Sequence, residues 1–335
     1  MRASKTAGHA RAEQVRELET TGHIGEEQVS ESETTGHIRD GQLRRHQQAG
    51  PPTQPDLTAL GALLDLSLAG DPARKVGGVR LRRVPSAGGR YPVNAHLGSA
   101  YYDPIAHELH GPPAATITLA LQPQRTTWRY GPRSLPVLLL DLGHALAAIL
   151  TAARTLAIPA TAAFTPQPPR HGEYPLATVH LGLSTKEPAG KSPDPLPDPP
   201  GLPLIEAALT ELSTRPPAPL PWDPPRVTPE TLLARHTAAW PSRGPISLPD
   251  HGLTEVRPTP DLAASSCGQP ELAQAERLLL ATGEPEPLNF VRAGMAVHRA
   301  WLLATAAGLS VRPVGCWIRA RYNGQRVLHA LAVGP

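Results

Sequence analysis

The chain has 335 residues, of which 40% are hydrophobic and 18% charged, with 41 prolines and a net charge of +3. This apolar fraction is large enough for the core of one large domain or of two smaller ones. The weak net charge, and the lack of a basic run interleaved with aromatics, argue against a nucleic-acid-binding protein. No apolar stretch has the length of a membrane span and no signal pattern is seen, so we expect a cytoplasmic protein without membrane contacts.

Residues 1–50 are polar and contain an internal duplication. The sequence from Glu13 to Ile24 recurs from Glu27 to Ile38, at an offset of 14 residues. That offset equals two heptads and raises the alternative of a coiled coil. Glycines interrupt both copies and apolar residues are too sparse for a seam, so we expect a disordered tail.

The first half of the chain, residues 51–186, alternates helical and strand patterns. Asp56 is a plausible N-cap for a helix that runs to Leu66, because apolar residues follow it at helical spacing. A long apolar helix is predicted over Leu135–Ile158, with prolines near its start and just past its end. Alternating segments predict three strands, at 93–97, 116–121 and 177–183.

Residues 187–229 are dense in proline, with one short predicted helix at 205–212, and are interpreted as a semi-rigid linker. In residues 230–335 the pattern predicts helices over Glu271–Ala281 and Val291–Ala307, the second followed by Gly308 as a left-handed C-cap. Strands are predicted at 314–320 and 327–333, joined by a hairpin at Asn323-Gly324.

The two halves have similar orders of elements, each with a basic tract before its helices and a strand after a long apolar helix. A fused pair of related domains would explain this, because tandem copies can satisfy a two-fold interface within one chain. We therefore predict an intramolecular pseudo-dimer.

The segment from Pro85 to Pro92, PSAGGRYP, is the most informative motif. Paired glycines let backbone N–H groups approach a planar or anionic ligand that a Cβ would exclude. The neighbouring Arg82 and Arg83 add positive charge where a phosphate could bind. The same residues also suit a tight turn between two elements, so both interpretations stay open here.

Four segments resemble the flavin-dependent nitroreductase-like superfamily, and specifically its SagB-type branch. They are RRVPSAGGRYPV from Arg82, YYDP with the nearby HEL, WRYGPR continuing into LLLDLGHALAAILTAARTLAI, and the C-terminal helix RAGMAVHRAWLLATAAGL. The resemblance covers roughly 57–183 and 285–335. It implies an α+β nitroreductase-like fold, with a mixed or antiparallel sheet packed by helices.

The resemblance implies FMN as the cofactor, bound between the two halves at one competent site. Ser86, Gly88 and Gly89 would line the flavin, with the C-terminal helix contributing from the second half. Arg82 or Arg83 would hold the phosphate. Arg45 and Arg235 fall where the family has an arginine–arginine–serine phosphate signature, although the serine is replaced in both halves.

The family's azoline oxidases place a lysine–tyrosine pair at the catalytic base, where this chain has Arg129 and Tyr130. Arginine cannot act as a base, so we expect Tyr130 to accept the proton, with its pKa lowered by Arg129. The alternative, that both are ordinary residues at the entry to a helix, stays open. Asp141 and His144, three apart on a helix, form either an acid–base dyad or a buried histidine satisfied by a carboxylate. The cysteines, Cys267 and Cys316, make neither a disulfide framework nor a metal-ligand set and are expected to be buried or incidental thiols. No metal-binding pattern is present.

The function implied by the resemblance is oxidation of azoline rings to azoles in a ribosomally synthesised, modified peptide. Two alternatives are an NAD(P)H-dependent nitroreductase or flavin reductase, and a degenerate non-catalytic partner in a peptide-modifying complex. A cyclodehydratase partner and further homodimerisation are left open.

Overall fold

The computed structural model describes residues 44–45, 56–182, 196–234, 250–266, 269, 272–273, 275–309, 311–317 and 319–333. The duplicated tail predicted for 1–50 lies outside these residues, except for the two-residue strand Arg44–Arg45. Gly41–Pro335 form one compact unit.

The larger sheet has eight strands in the order β1-β6-β5-β4-β7-β9-β8-β10. Its neighbouring strands are antiparallel except for the β1–β6 pair, which is parallel. The strands are β1 (Arg44–Arg45), β4 (Val93–Leu97), β5 (Ala100–Asp103), β6 (Glu108–His110), β7 (Thr116–Leu121), β8 (Ala160–Phe164), β9 (Tyr174–Leu181) and β10 (Ala218–Pro219).

The second sheet belongs to the C-terminal half and is antiparallel. Its order is β11-β12-β15-β13, with β14 also paired to β15. These strands are β11 (Thr254–Val256), β12 (Arg277–Gly283), β13 (Val311–Val314), β14 (Arg321–Tyr322) and β15 (Gln325–Val333), and a separate hairpin joins β2 (Gly70–Val76) to β3 (Val79–Arg82).

The helices are α1 (Leu57–Ser67), α2 (Gln124–Tyr130), α3 (Ser134–Thr155), α4 (Leu202–Leu212), α5 (Pro229–Ala234), α6 (Pro260–Ala264) and α7 (Pro287–Ala306). Asp56 caps α1, because its carboxylate accepts from the backbone N–H groups of Thr58 and Ala59. The expectation that no apolar stretch has the length of a membrane span is wrong, because the segment Gln124–Thr155 is long and apolar enough to cross a membrane. Within the protein, however, 89% of its most apolar window is buried. This segment therefore belongs to the buried core of the fold.

Helices α3 and α7 cross at two glycines, and this crossing brings the two halves together. A Cβ on Gly143 would overlap the carbonyl oxygen of Val291 and lie 3.0 Å from the Cα of Gly294. A Cβ on Gly294 would overlap the carbonyl oxygen of Leu140. Only glycine permits this backbone contact. Residues of α3 consequently belong to the apolar cores of both halves.

The sequence-based elements agree with the structure in most places, with two corrections. The helix predicted over Glu271–Ala281 is wrong, because Arg277–Gly283 is the strand β12. Its apolar run is buried on both faces, a pattern that does not distinguish a core strand from a core helix. The strand predicted at 314–320 lies earlier, at Val311–Val314.

The domain boundaries stay a prediction. The described part of the predicted linker, 196–229, is not extended throughout, because α4 packs Ile205, Leu209 and Leu212 into the core of the first half.

Candidate functional site

A cleft of about 460 Å³ lies across the two halves. The first half supplies the loop at 85–88, the end of α2 and the first turns of α3, and the second half supplies 312–316 and β15. The volume falls in the range of roughly 300–1,000 Å³ typical of small-molecule and cofactor sites. None of the described lining residues belongs to α7; from the second half, β13 and the residues after it line the cleft.

The PSAGG loop and the WRYG segment, distant in sequence, meet at the cleft. Gly88 has a φ of +61°, a left-handed conformation that favours glycine. A Cβ there would lie 3.2 Å from Arg129 Cδ and Nε and from the hydroxyl of Tyr130. The structure thus joins Ser86, Gly88, Arg129 and Tyr130 in one site.

Asp141 holds this loop against α3. Its Oδ2 accepts from the Ser86 hydroxyl at 2.6 Å and its Oδ1 accepts from the Ala87 N–H at 3.2 Å. Burial raises the pKa of Asp141 to about 7, although these two hydrogen bonds act in the opposite direction. A carboxyl with such a pKa can gain or lose a proton near neutral pH.

Tyr130 differs from the expectation in its protonation. Burial raises its pKa from the ordinary value, and this effect outweighs the neighbouring charge of Arg129, which acts to lower it. Arg129 acts in the predicted direction, but the net shift of the Tyr130 pKa is upward, so the predicted lowered pKa is wrong. At neutral pH Tyr130 is a neutral phenol, better suited to donate a hydrogen bond than to accept a proton.

Three buried histidines form a row at the cleft, one each from α3, α7 and β15. Two of them, His144 and His329, line the cleft. His144 Nδ1 lies 3.2 Å from His298 Nδ1, and His144 Nε2 lies 2.8 Å from His329 Nε2. His329 Nδ1 donates to the carbonyl oxygen of Val314 at 3.0 Å, because a carbonyl can only accept. Burial lowers the pKa of His329 to about 4, so this ring is neutral at pH 7.

The Val314 carbonyl fixes the tautomer of His329. With its proton on Nδ1, His329 accepts at Nε2, so His144 must donate from its own Nε2. His144 Nδ1 makes the contact with His298 Nδ1. Asp141 bonds to Ser86 and Ala87, whereas His144 bonds to two other histidines. Asp141 and His144 therefore form neither of the two arrangements expected from sequence, the acid–base dyad or a histidine hydrogen-bonded to the neighbouring carboxylate.

Cationic side chains dominate the polar lining of the cleft. Arg129, Arg133 and Arg312 line it, and Asp141 is the single carboxylate among its described lining residues. This donor set favours an anionic ligand, since arginine binds phosphate and carboxylate through paired N–H donors. The arginines at 133 and 312 were missed from sequence, because nothing in their local pattern marks them as facing the cleft.

The other predicted phosphate ligands lie elsewhere. Arg83 faces Asp71 at 3.5 Å and Asp65 at 3.8 Å. The Arg82 guanidinium lies 4.8 Å above the Tyr91 ring and lines a separate cavity of about 20 Å³, the size of a water site. The structure brings neither residue to the cleft.

Three further predictions have other outcomes. Gly89, with a φ of +64°, is not among the lining residues, and Arg45 is described only as backbone in β1, while Arg235 lies outside the described residues. Cys316 lines the cleft and is disulfide-bonded, so the expectation of a thiol is wrong there.

Comparison with known proteins identifies the fold. No protein-family model and no curated protein matches this chain by sequence. Its structure is similar to that of a protein assigned as a nitroreductase from Anabaena variabilis, with a TM-score of 0.61 and 14% identity over 83% of this chain and 88% of that one. The chain therefore has the nitroreductase-like α+β fold, as the sequence predicted.

Two more distant similarities involve a protein assigned as a nitroreductase from Ralstonia eutropha and the E. coli microcin synthetase McbBCD complex bound to truncated pro-MccB17. The first has a TM-score of 0.32 and 15% identity over 49% of this chain and 89% of that one. The second has a TM-score of 0.29 and 12% identity over 58% of this chain and 85% of that one. These TM-scores are too low to support an inference about this chain.

Proposed function

We propose that this protein is an FMN-dependent oxidoreductase that oxidises azoline rings to azoles in a ribosomally synthesised, modified peptide. The observation that carries the proposal is the cleft itself, which combines the PSAGG loop with three arginines at the meeting of the two halves. The nitroreductase-like fold and the sequence motifs that resemble the SagB-type branch support it.

The residues of the cleft fit FMN. Its volume of about 460 Å³ suits a cofactor, and Gly88 and Gly315 are among the residues that line it. Arg129, Arg133 and Arg312 against one buried carboxylate give the lining the positive charge that a phosphate requires. Arg133 and Arg312 would hold the phosphate, and Ser86 and Gly88 would line the ring system.

Bound FMN would supply a two-electron acceptor for the substrate. Tyr130, neutral at pH 7, would donate a hydrogen bond to the bound substrate, and Arg129 beside it would stabilise negative charge that develops there. The buried floor, which includes Val137 and Leu140, limits water around these groups.

A peptide substrate would pass along the exposed surface next to the cleft. Trp128, which precedes Arg129 in α2, is 53% exposed, and the guanidinium of Arg90 lies 4.3 Å above its ring. An exposed aromatic with a stacked cation offers apolar area and positive charge for a peptide. The pseudo-dimer, a cyclodehydratase partner and a cytoplasmic location are parts of the same proposal.

Incubation of the FMN-loaded protein in air with a synthetic thiazoline-containing peptide tests the proposal. We expect a mass loss of two hydrogens without added nicotinamide cofactor. Turnover only with NADH or NADPH would favour a general nitroreductase or flavin reductase instead. A protein that binds FMN but leaves the peptide unchanged under both conditions would contradict azoline oxidation.

A further inference from the structure

Asp141 is a buried carboxylate that faces the cleft without a cation beside it. It is 4% exposed, and no cationic side chain of the described residues lies within 4.0 Å of it. Its two hydrogen bonds come from the Ser86 hydroxyl and the Ala87 N–H. A buried anion that is not paired with a cation is costly, so this carboxylate has a strong tendency to take up a proton.

Ser86 connects Asp141 to the cleft by a short hydrogen bond. While Asp141 is ionised its carboxylate can only accept, so the Ser86 hydroxyl donates to it. The Tyr91 N–H donates to Ser86 Oγ at 2.8 Å, which leaves one lone pair of this oxygen to accept a proton from the cleft. Ser86 and Asp141 both line the cleft. A proton that reaches Ser86 Oγ from a bound molecule can therefore pass on to Asp141 Oδ2 by exchange along one short hydrogen bond.

We propose, on the basis of the proposed function, that Asp141, reached through Ser86, takes up the proton released when a bound molecule is oxidised. Bound FMN would supply the oxidant that accepts two electrons and one hydrogen as hydride, and the released proton would go to Ser86 Oγ. As that O–H bond forms, the original Ser86 O–H bond breaks and its proton bonds to Asp141 Oδ2. Ser86 ends unchanged, and Asp141 changes from a carboxylate to a neutral carboxyl.

The neighbouring titratable groups are less suited than Asp141 to accept the proton. Tyr130 already holds its proton, and the charge of Asp141 helps to raise its pKa further. His329 is neutral and donates to a carbonyl, in the row with His144. The groups that share the cleft with Asp141 or face it are Tyr91 from the loop, Arg129 and Tyr130 from α2, Arg133 before α3, His144 on α3, Arg312 on β13 and His329 on β15. Arg82 on β3 and Tyr102 on β5 line the small cavity of about 20 Å³ that Asp141 also lines.

A ¹³C NMR titration of the aspartate-labelled protein tests the proton-holding role without turnover. The resonance that is absent in Asp141→Asn and shifted in Ser86→Ala should titrate near pH 7. Glu211→Gln, an exposed carboxylate on α4, should leave that resonance in place and serves as the matched control. A resonance that stays ionised down to pH 5 would overturn the proposal.

Turnover and FMN binding of the same variants separate catalysis from positioning of the loop. With the thiazoline peptide as probe, Asp141→Asn should lower kcat by about a hundredfold or more, and the limb of the pH profile near 7 should disappear. FMN affinity should stay within about threefold of the wild type. Weaker FMN binding with the limb retained would show a structural role and contradict the proposal.

The outcome for Asp141 can be distinguished from that for the proposed function. If the wild-type protein fails to bind FMN or to oxidise the peptide, the proposed function fails, while the titration still decides whether Asp141 holds a proton near pH 7. If the wild type turns over and Asp141→Asn keeps both kcat and the pH profile, the inference about Asp141 alone is wrong.

Discussion

Gly294→Ala tests the crossing of α3 and α7 that frames the cleft. The added Cβ would overlap the carbonyl oxygen of Leu140 and lie 3.1 Å from the Cα of Gly143. Both neighbours are backbone atoms, so no side-chain rotation can relieve the contact. The two helices would have to move apart, and with them the cleft residues that α3 carries.

The expected effect has a definite sign. In a helix without such a neighbour, alanine is favoured over glycine by about 1 kcal/mol. Overpacking of a close-packed interface usually costs about 1–3 kcal/mol, and the backbone contacts on both glycines place this site at the upper end or beyond. We therefore expect a net loss of about 2 kcal/mol in the free energy of unfolding, together with weaker FMN binding.

Urea denaturation of the wild type and the variant measures this difference, with the midpoint compared at equal slope. Gly283→Ala is the matched control, since a Cβ there would meet only Leu328 Cδ1 at an ordinary 3.6 Å. The control should change the free energy of unfolding by less than about 0.5 kcal/mol. A Gly294→Ala protein stabilised by about 1 kcal/mol would refute the close crossing.

Two further predictions concern the residues around the cleft. Burial lowers the pKa of His329 from 6.5 to about 4, so between these pH values the folded state binds fewer protons than the unfolded state. The contribution of His329 to stability is therefore complete above pH 6.5, and the free energy of unfolding falls by about 3 kcal/mol as the pH drops to 4. His329→Gln should flatten this part of the stability profile, and an unchanged profile would contradict a buried, neutral His329. Tyr130→Phe should reduce turnover of the thiazoline peptide at least tenfold while FMN stays bound, because only a hydrogen-bond donor is removed. Equal turnover in the variant and the wild type would exclude the proposed role of Tyr130 as a donor to the substrate.

Local signals predicted much of the fold. Asp56 before an apolar helical pattern marked the start of α1, and the Asn323-Gly324 pair marked the hairpin between β14 and β15. Both residues of that turn have a positive φ, as a tight hairpin with this dipeptide requires. Such features depend on neighbouring residues alone, so the sequence is sufficient to identify them.

Features that depend on tertiary contacts were predicted less well. The apolar run at 277–283 is compatible with a core helix and with a core strand, so its pattern alone does not distinguish them. The structure forms the strand because this segment pairs with β15. The PSAGG and WRYG segments were both identified, but the contact between Gly88 and Tyr130 follows only from the folded chain. The histidine row was not predicted, because its members lie more than 30 residues apart and come from three different elements.

The pKa of Tyr130 was predicted in the wrong direction for a related reason. A sequence shows the adjacent charge of Arg129 but not the burial that outweighs it. The sequence likewise shows the charge of Arg83 but not its ion pairs with Asp65 and Asp71, which form only in the folded chain.

Flavin binding tests the central claim most directly. Titration of the purified protein with FMN, and with riboflavin as the matched ligand without a phosphate, measures whether the arginine-lined cleft holds the cofactor. We expect FMN to bind tenfold to a hundredfold more tightly than riboflavin, since charge-assisted hydrogen bonds contribute about 1.5–3 kcal/mol, and we expect Arg312→Gln to reduce that preference. A colourless protein that takes up neither flavin in excess would contradict the proposal.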